Sequence, residues 1–207
     1  PGDRIRTARD VYNELRALQS DARPAPPAAA EKPSIVVLPF ENRSADPDNE
    51  YFSDGLTDEI ITDLSQIRTL RVISRTSAFA LKGKRLPIRE IGDQLNVSFA
   101  LEGGVRRSGD RLRVSAQLIR VSDDSSVWSE TYERRLADVF EVQDDITRRI
   151  VSTMTRTLKA TPVDTPDPIA KPKSLEAYHD YLLGRYQWNK RTKAGLEAAL
   201  TLFHRSI

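Results

Sequence analysis

Apolar residues recur along the chain with strand-like and helix-like spacing, and together they predict a layered α/β domain. The run from Ile35 to Phe40 is continuously apolar and rich in β-branched residues, which is typical of a strand buried on both faces. One apolar stripe over about 55–67 predicts a helix, 70–74 a second strand, and 87–96 a second helix. The order β-α-β-α implies parallel strands joined by crossover connections.

The second half of this domain alternates between apolar and polar residues, the pattern of a half-buried antiparallel strand. Such alternation runs through 111–121, and the compact turn signal at 108–110 predicts a hairpin with the preceding segment. A third arm is predicted over 127–133 and a long amphipathic helix over 138–158. The sequence therefore predicts the order β-α-β-α-β-β-β-α, an α/β (α+β) domain with a mixed sheet layered against helices.

Two proline-rich segments divide the chain. Residues 20–34 and 159–173 are linkers by composition, since their prolines oppose both helix and sheet. They separate a short N-terminal helix within 1–19 from the domain at 35–158, and that domain from a helical hairpin at 174–207. Because two isolated helices cannot bury their apolar faces, we expect the hairpin to pack on the α/β domain, on a second copy or on a further repeat. We also expect the chain to be part of a larger protein, because it starts without methionine and stops within a helical pattern.

Composition excludes several classes of function. The chain has 207 residues with 32 basic and 30 acidic side chains, so its formal charge of +2 gives no global field that would attract nucleic acid or an anionic membrane. Without cysteine it has no disulfide, thiolate nucleophile or sulfur-bound zinc, and a cytoplasmic location is expected. Its longest apolar run, Ile35 to Phe40, is far shorter than the roughly 20 residues of a membrane-spanning helix.

Five carboxylates crowd the segment around the sequence YFSDGLTDEI: Glu50, Asp54, Asp58, Glu59 and Asp63. They suggest a divalent cation site, a pair of carboxylates for general acid/base catalysis, or an acidic helix start. Their spacing lacks the alternating oxygen ligands and the glycine at the sixth position of an EF-hand loop. We therefore predict a structural role, with Ser53 or Asp54 as the helix N-cap, and no metal site.

Arginines cluster on the predicted hairpin: Arg106, Arg107, Arg111, Arg113 and Arg120. A two-stranded basic ribbon can enter the major groove of DNA. No aromatic residues interleave with these arginines, and nearby acids reduce the positive field. The pattern favours a solvated sheet face that discourages edge pairing, and nucleic-acid binding is not expected.

The best candidate binding site lies where the first two strands end. In open α/β sheets ligands gather at the carboxyl ends of strands, and seven polar residues follow those ends here. They are Asn42, Arg43, Arg75, Thr76, Ser77, Lys82 and Lys84. Such a set is suited to an anion or a polar partner. The alternative is that Arg75 and Ser77 only fasten a long surface loop.

Several blocks of the domain resemble the TolB-like amino-terminal domain of bacterial multidomain regulators. The blocks are SIVVLPFENRSADPDNEYFSDGLTDEIITDLS, LRVISRTSAFALKGK, IREIGDQLNVSFALEGGVRRSGDRLRVSAQLI and VWSETYER, in this order between residues 33 and 158. The tail resembles the start of a tetratricopeptide repeat array, with Leu183 and Gly184 at its Leu-Gly pair, and Ala199 and Phe203 in its second helix. The second resemblance implies protein partners for the hairpin, including self-association.

The N-terminal segment PGDRIRTARDVYNEL is similar to the end of a bacterial serine/threonine protein kinase domain. In that comparison Arg4 would be the structural arginine that pairs with the glutamate of the kinase APE motif. The resemblance implies ATP and Mg²⁺ as cofactors of a parent kinase. It implies none for this chain, which contains no glycine-rich phosphate loop and no HRD or DFG motif.

These observations favour a non-catalytic sensing or scaffolding module, downstream of a kinase domain, that binds a protein or a small polar ligand. The alternatives are a module of a winged-helix transcriptional regulator or of an adenylate cyclase, and a nucleotide-binding α/β domain. The missing glycine-rich phosphate cradle argues against nucleotide binding. The near-neutral charge argues against a nucleic-acid-binding segment.

Overall fold

The computed structural model describes residues 32–158 and 174–207, and Pro33–Ile207 form one compact unit. The helix predicted within 1–19, together with Arg4, lies outside the described residues, as do the linker 159–173 and all but the end of the linker 20–34. The predictions for these segments stay predictions.

Within the described ranges the chain forms six strands and six α-helices. They are β1 (Ser34–Val37), β2 (Glu41–Asn42), α1 (Glu50–Ser65), β3 (Arg71–Val72), α2 (Arg75–Phe79), α3 (Ile88–Leu95), β4 (Phe99–Ser108), β5 (Arg111–Arg120), β6 (Ser125–Arg135), α4 (Val139–Leu158), α5 (Leu175–Asn189) and α6 (Lys193–Arg205). Short 3-10 turns at Pro47–Asn49 and Leu136–Asp138 lead into α1 and α4.

The strands form one mixed sheet in the order β3-β1-β4-β5-β6, which confirms the predicted fold class. β1 lies between β3 and β4 and is parallel to both, and all four of its residues are buried. β2, which the sequence analysis did not predict, pairs in parallel with β4 further along that strand. β4, β5 and β6 form an antiparallel meander, so the predicted hairpin and third arm are confirmed.

The core lies between one face of this sheet and the helices α1 and α4. On β5, Leu112, Val114 and Leu118 are no more than 2% exposed, while Arg111 and Arg113 at alternate positions are exposed, as the alternation predicted. The apolar stripes of α1 and α4 complete this core. The other face of the meander is largely polar. A ligand or partner can therefore reach this face more readily than the face covered by α1 and α4.

The helical hairpin α5–α6 packs on the α/β domain through α1, one of the arrangements expected from its apolar surface. Tyr178 and Leu182 of α5 are each 1% exposed. A Cβ atom on Gly55 of α1 would lie 2.6 Å from Leu182 Cδ2, so the missing side chain at Gly55 lets the two helices approach. The amide of Gln143 on α4 donates to the Tyr178 hydroxyl at 2.7 Å, which ties a third helix to the contact.

The predicted start of the first helix, and with it the predicted cap, is wrong. α1 begins at Glu50 with Asn49 as the N-cap, so Ser53 and Asp54 lie inside the helix and are buried. The reason is the 3-10 turn that precedes it, where Asp46 accepts a hydrogen bond from the Asp48 N–H at 2.9 Å. An aspartate followed by Pro47 is itself a helix-start signal, and it lies earlier in the sequence than the predicted cap.

The segment after β3 also differs from its prediction as a loop. Residues Arg75–Phe79 form the short helix α2, and the side chain of Ser74 caps it by accepting from the Ser77 N–H at 3.4 Å. Five residues are too few to show a helical period in the sequence, so pattern analysis could not separate this turn of helix from a loop.

Candidate functional site

The carboxylates of α1 are held by cationic side chains from three other parts of the fold. Lys82 Nζ, in the segment after α2, lies 2.6 Å from Glu50 Oε1 and 2.5 Å from Asp54 Oδ1. One turn further along α1, Asp58 pairs with Arg75 of α2 at 3.4 Å and with Arg185 of α5. The carboxylates of Glu50, Asp54 and Asp58 are therefore already paired and are not free to bind a cation.

Burial raises the pKa of two carboxyl groups in this row, those of Asp54 and Glu59. Desolvation raises the pKa of Asp54, although the hydrogen bond from Lys82 acts in the opposite direction. Glu59 lies at the contact with α5, and burial raises its pKa to about 7. The nearby carboxylates of Asp63 and Asp58 act in the same direction, and the Arg185 guanidinium opposes them.

Two carboxylates of the acidic row are buried and ion-paired. Asp54 and Asp58 are largely buried, with side chains 10% and 7% exposed, and each carboxylate has a cation beside it. In the part of the chain that the structure describes, no three histidine, aspartate or glutamate side chains come together in a way that could hold a metal ion. Both partners of such a buried pair are needed, because removing one leaves the other charged and unpaired.

A cleft of about 810 Å³ opens at the carboxyl end of β1. One wall is the chain from Leu38 to Arg43, the other is the segment from Lys82 to Leu86, and the floor includes residues of β4 and β5. Apolar side chains line part of it, including Phe40, Leu86 and Ile91. The position agrees with the rule that ligands bind beyond the carboxyl ends of parallel strands.

Arg43 is the best-supported side chain of this cleft. Its guanidinium donates to Ser115 Oγ at 3.2 Å and to Glu41 Oε2 at 3.2 and 3.3 Å, while more than half of the side chain remains exposed. A Cβ atom on Gly104 would lie 2.5 Å from Arg43 Nε, so the glycine leaves space for the arginine to cross β4. Arg43 is therefore held in place and still open to a ligand.

The seven predicted ligand residues divide into two groups. Asn42, Arg43, Lys82 and Lys84 line the cleft. Arg75, Thr76 and Ser77 lie on α2 and do not line it, which corrects the prediction of one common site. The physical reason is that Arg75 reaches the buried Asp58 and stacks on Phe79, with its guanidinium carbon 3.9 Å from the ring centre. The alternative that Arg75 and Ser77 fasten this segment matches these contacts.

Two of the four cleft residues, Asn42 and Lys82, also make contacts that stabilise the fold. The Asn42 side chain donates to the Asp46 carbonyl at 3.1 Å and accepts from the Ser44 N–H at 2.9 Å, which folds the turn after β2. Lys82 is held by Glu50 and Asp54. In the described ranges no carboxylate pairs with Lys84, so among these four residues Lys84 and the exposed part of Arg43 are the cations most available to a ligand.

The sequence analysis missed several cleft residues. Glu41, Arg85 and Glu102 line the same space, and burial together with the nearby Glu41 raises the pKa of Glu102. The signal that could have found them is the Gly103-Gly104 pair within an otherwise bulky strand, because such a pair often marks close approach of another group. Gly103 makes room for the Phe40 ring, 2.7 Å from where its Cβ would be.

The arginines of the predicted hairpin also divide. Arg107 donates to the Tyr51 hydroxyl at 3.0 Å and Arg120 pairs with Asp123 at 2.8 Å, so these two belong to local contacts. Arg106, Arg111 and Arg113 are exposed, as expected for a solvated sheet face.

A mixed sheet with α1 and α4 packed on one face, and a polar cleft at the carboxyl end of β1, define an α/β domain. The chain belongs to the family described as HilA/YgeH-like transcriptional regulator, second domain, whose model matches residues 30–159. It is also 50% identical over 129 residues to a putative adenylate cyclase 3 of Rhizobium meliloti (strain 1021). That match covers 62% of this chain and 22% of the cyclase, so the chain spans about a fifth of the length of that relative.

Similar solved structures include TolB from Acinetobacter baumannii, at 17% identity and a TM-score of 0.45, covering 60% of this chain and 28% of TolB. Lipoprotein GNA1162 from Neisseria meningitidis is 18% identical with a TM-score of 0.42, covering 49% of this chain and 79% of the lipoprotein. In residues 32–158 and 174–207, no helix is both long and apolar enough to cross a membrane.

Proposed function

We propose that the domain is a non-catalytic sensing and scaffolding module that binds a small polar ligand with an anionic group in the cleft beside β1. The observation that carries this proposal is the grouping of Asn42, Arg43, Lys82 and Lys84 around one cleft with a partly apolar floor. Small-molecule sites commonly combine apolar walls with a few convergent polar groups. Glu41, which pairs with Arg43, and Glu102 lie in the same cleft, so a ligand that also carries a hydrogen-bond donor would bind more tightly than a simple anion.

The proposal that the domain is non-catalytic is based on the contacts of its acidic side chains. Asp54 and Asp58 are ion-paired, and the cleft as described contains no histidine and no cysteine to act as a base or nucleophile. The glycine pair lies inside β4 and not at a strand-to-helix turn, where a phosphate cradle would form. We expect the purified chain to neither hydrolyse ATP nor transfer phosphate. Magnesium-dependent turnover that a substitution within the chain abolishes would overturn this part.

Lys82 connects the cleft to the α5–α6 hairpin through neighbouring ion pairs on α1. It lines the cleft and also pairs with Asp54, one helical turn from Asp58, which pairs with Arg185 of α5. A ligand anion that competes for Lys82 would change the charge balance along α1 and hence the docking of the hairpin. Lys82 therefore supports a sensing role for the domain. The measurement that tests it is whether a ligand in the cleft changes the docking of the hairpin on α1.

The comparisons support a module that serves more than one output. The family is described for transcriptional regulators, while the 50% identical segment belongs to a putative adenylate cyclase. A domain associated with two such different outputs is better understood as a regulatory module than as the source of either activity. The kinase parent inferred from residues 1–19, the cytoplasmic location and the helical repeats remain part of the proposal.

The test is an NMR titration of the labelled chain with two probes, inorganic phosphate and succinate. We expect the amides of Gly83, Gly103 and Gly104 to shift, because these glycines line or adjoin the cleft. Arg43→Gln combined with Lys84→Gln should weaken binding roughly tenfold, as expected for the loss of charge-assisted hydrogen bonds. The control is Arg89→Gln with Lys193→Gln, which removes two exposed charges elsewhere. Equal weakening in both variants, or no shift with either probe, would overturn the cleft as the site.

A further inference from the structure

The strand register brings arginines directly opposite one another on the exposed face of the meander. Arg106 of β4 lies opposite Arg113 of β5, and Arg111 of β5 lies opposite Arg135 of β6. Arg111 and Arg113 are two residues apart and therefore share a face. Like charges directly opposite each other destabilise a sheet. Two such pairs in adjacent positions are a feature that the fold itself does not need.

Carboxylates neutralise only part of this patch. A cleft of about 630 Å³ here is lined by Arg106, Arg111, Arg113, Arg134, Arg135, Glu133 and Asp138 among others. Glu133 pairs with Arg113 at 3.3 Å and Asp138 with Arg135 at 3.4 Å. Five arginines thus face two carboxylates, and no carboxylate in the described part of the chain pairs with Arg106 or Arg111. The patch has an excess of positive charge, and most of its arginine side chains are exposed.

The patch adjoins a long open sheet edge. β6 spans Ser125–Arg135 and is the last strand in the sheet order, paired with β5 on one side. On its other side, no strand from residues 32–158 or 174–207 pairs with it. Proteins usually shorten or cover such an edge, because its unpaired backbone groups accept another strand. Here an open edge of eleven residues ends in the arginine cluster.

From these two observations we propose that the C-terminal half of β6 is a docking site for an extended acidic segment of a partner protein, which adds to the sheet as a further strand. Its backbone would pair with the free edge of Thr131–Arg135, at a strand spacing of about 4.8 Å. Its alternate carboxylate side chains would meet Arg135, and Arg111 one strand further in, through the paired N–H groups with which arginine binds carboxylates.

An acidic partner fits this site better than a second copy of the chain. β6 itself carries Glu130, Glu133, Arg134 and Arg135, so a second β6 strand adds two arginines and brings no net negative charge. An extended peptide also fits better than nucleic acid, since the exposed face of the patch offers arginines without an aromatic side chain for base stacking. Both of the other occupants are outcomes of the test.

The test measures fluorescence anisotropy of a labelled peptide of alternating glutamate and threonine with the full chain. A second peptide has the same charge but carries proline in place of every second threonine, so that it cannot form a continuous strand. We expect the first peptide to bind at least several-fold more tightly than the second. Hydrogen exchange should slow at the amides of Thr131–Arg135 when the first peptide is bound.

Arg111→Gln with Arg113→Gln should weaken the first peptide roughly tenfold, while Arg89→Gln with Lys193→Gln, which removes the same charge, should change it less than twofold. The Arg111/Arg113 variant should remain folded, because it relieves the repulsion between facing arginines. Equal binding of the two peptides would overturn strand addition. Tighter binding of a single-stranded oligonucleotide of equal charge, or a dimer that β6 substitutions break in sedimentation experiments, would replace the acidic segment with another occupant.

Discussion

The contact between α1 and α5 and the cleft beside β1 are built from similar charged side chains, but they leave them in opposite states. At the helix contact, Asp58 has a side chain 7% exposed and is paired with Arg75 and Arg185. In the cleft, Arg43 pairs with Glu41 and keeps more than half of its side chain in solvent. Charge in the first region specifies how the helices fit together, whereas charge in the second is available for recognition. Substitutions should therefore separate the two regions by their effect on stability.

The largest effect should follow the loss of the buried carboxylate. Asp58→Ala leaves Arg75 and Arg185 without their partner, and breaking a buried ion pair typically destabilises a protein by about 3–5 kcal/mol. Because both arginines are one-quarter exposed, we expect about 3 kcal/mol in chemical denaturation. The matched control is Asp48→Ala at an exposed position, which should change stability by less than about 0.5 kcal/mol. A loss below about 1 kcal/mol for Asp58→Ala would contradict the comparison.

A smaller effect should appear as a dependence on pH. Glu59 has its pKa raised by burial from 4.5 to about 7, so the folded chain holds this proton over a pH range where the unfolded chain has lost it. Stability should therefore fall as the pH rises from about 4.5 to 7 and then level off. At about 1.4 kcal/mol for each pH unit, reduced for partial exposure, the fall should be about 1–2 kcal/mol.

Glu59→Gln removes this titration, so its stability should be less dependent on pH than that of the unchanged chain, and higher than it at pH 8. Glu197→Gln, at an exposed position on α6, is the control. Denaturation curves at pH 5, 6, 7 and 8 measure the difference. If both variants follow the same pH profile as the unchanged chain, Glu59 is not the titrating group.

A third effect concerns one hydroxyl at the helix contact. Tyr178→Phe leaves the buried Gln143 amide without its hydrogen-bond acceptor, which should cost about 1 kcal/mol. Tyr186→Phe is the control, because the Tyr186 hydroxyl makes no hydrogen bond to the residues that the structure describes. Thermal melting of the two variants compares them, and equal melting temperatures would show that water replaces the lost contact.

The smallest effect on stability should come from the cleft. Arg43→Gln removes a pair that is largely solvent-exposed, and such pairs contribute about 0–1 kcal/mol. We expect a change below about 0.5 kcal/mol in the denaturation midpoint. A loss as large as that of Asp58→Ala would show that Arg43 supports the fold, and the distinction between the two regions would no longer hold.

The elements of the fold were predictable wherever burial imposes a period. Alternation through 111–121 predicted which face of β5 is buried, and the apolar run at Ile35 predicted a strand between two neighbours. The partners of the acidic row were not predictable. Asp58 pairs with Arg185, 127 positions away along the chain, and no local pattern connects two such positions. The facing arginines were predictable in part, since the compact turn at 108–110 fixes the register that places Arg106 opposite Arg113. The connection between β5 and β6 is longer and does not fix Arg111 opposite Arg135.

The candidate site was predictable in part for a similar reason. The carboxyl end of β1 was a sound expectation from topology, and it grouped four of the seven residues. Arg75 was misplaced because its choice between solvent, the cleft and a buried acid depends on the position of α1. That position depends on a helix start at Glu50, five residues before the predicted one.

Gly55 shows where the folded unit ends. The family model matches residues 30–159, yet the side chain that fills the space above this glycine is Leu182, beyond the linker. A chain shortened to the matched residues would lose the hairpin and open a groove along α1, with Asp58 and Glu59 on its border. Boundaries drawn from sequence similarity and boundaries drawn from packing therefore differ by two helices in this protein, and the transfer of this domain to another protein would have to carry the hairpin with it.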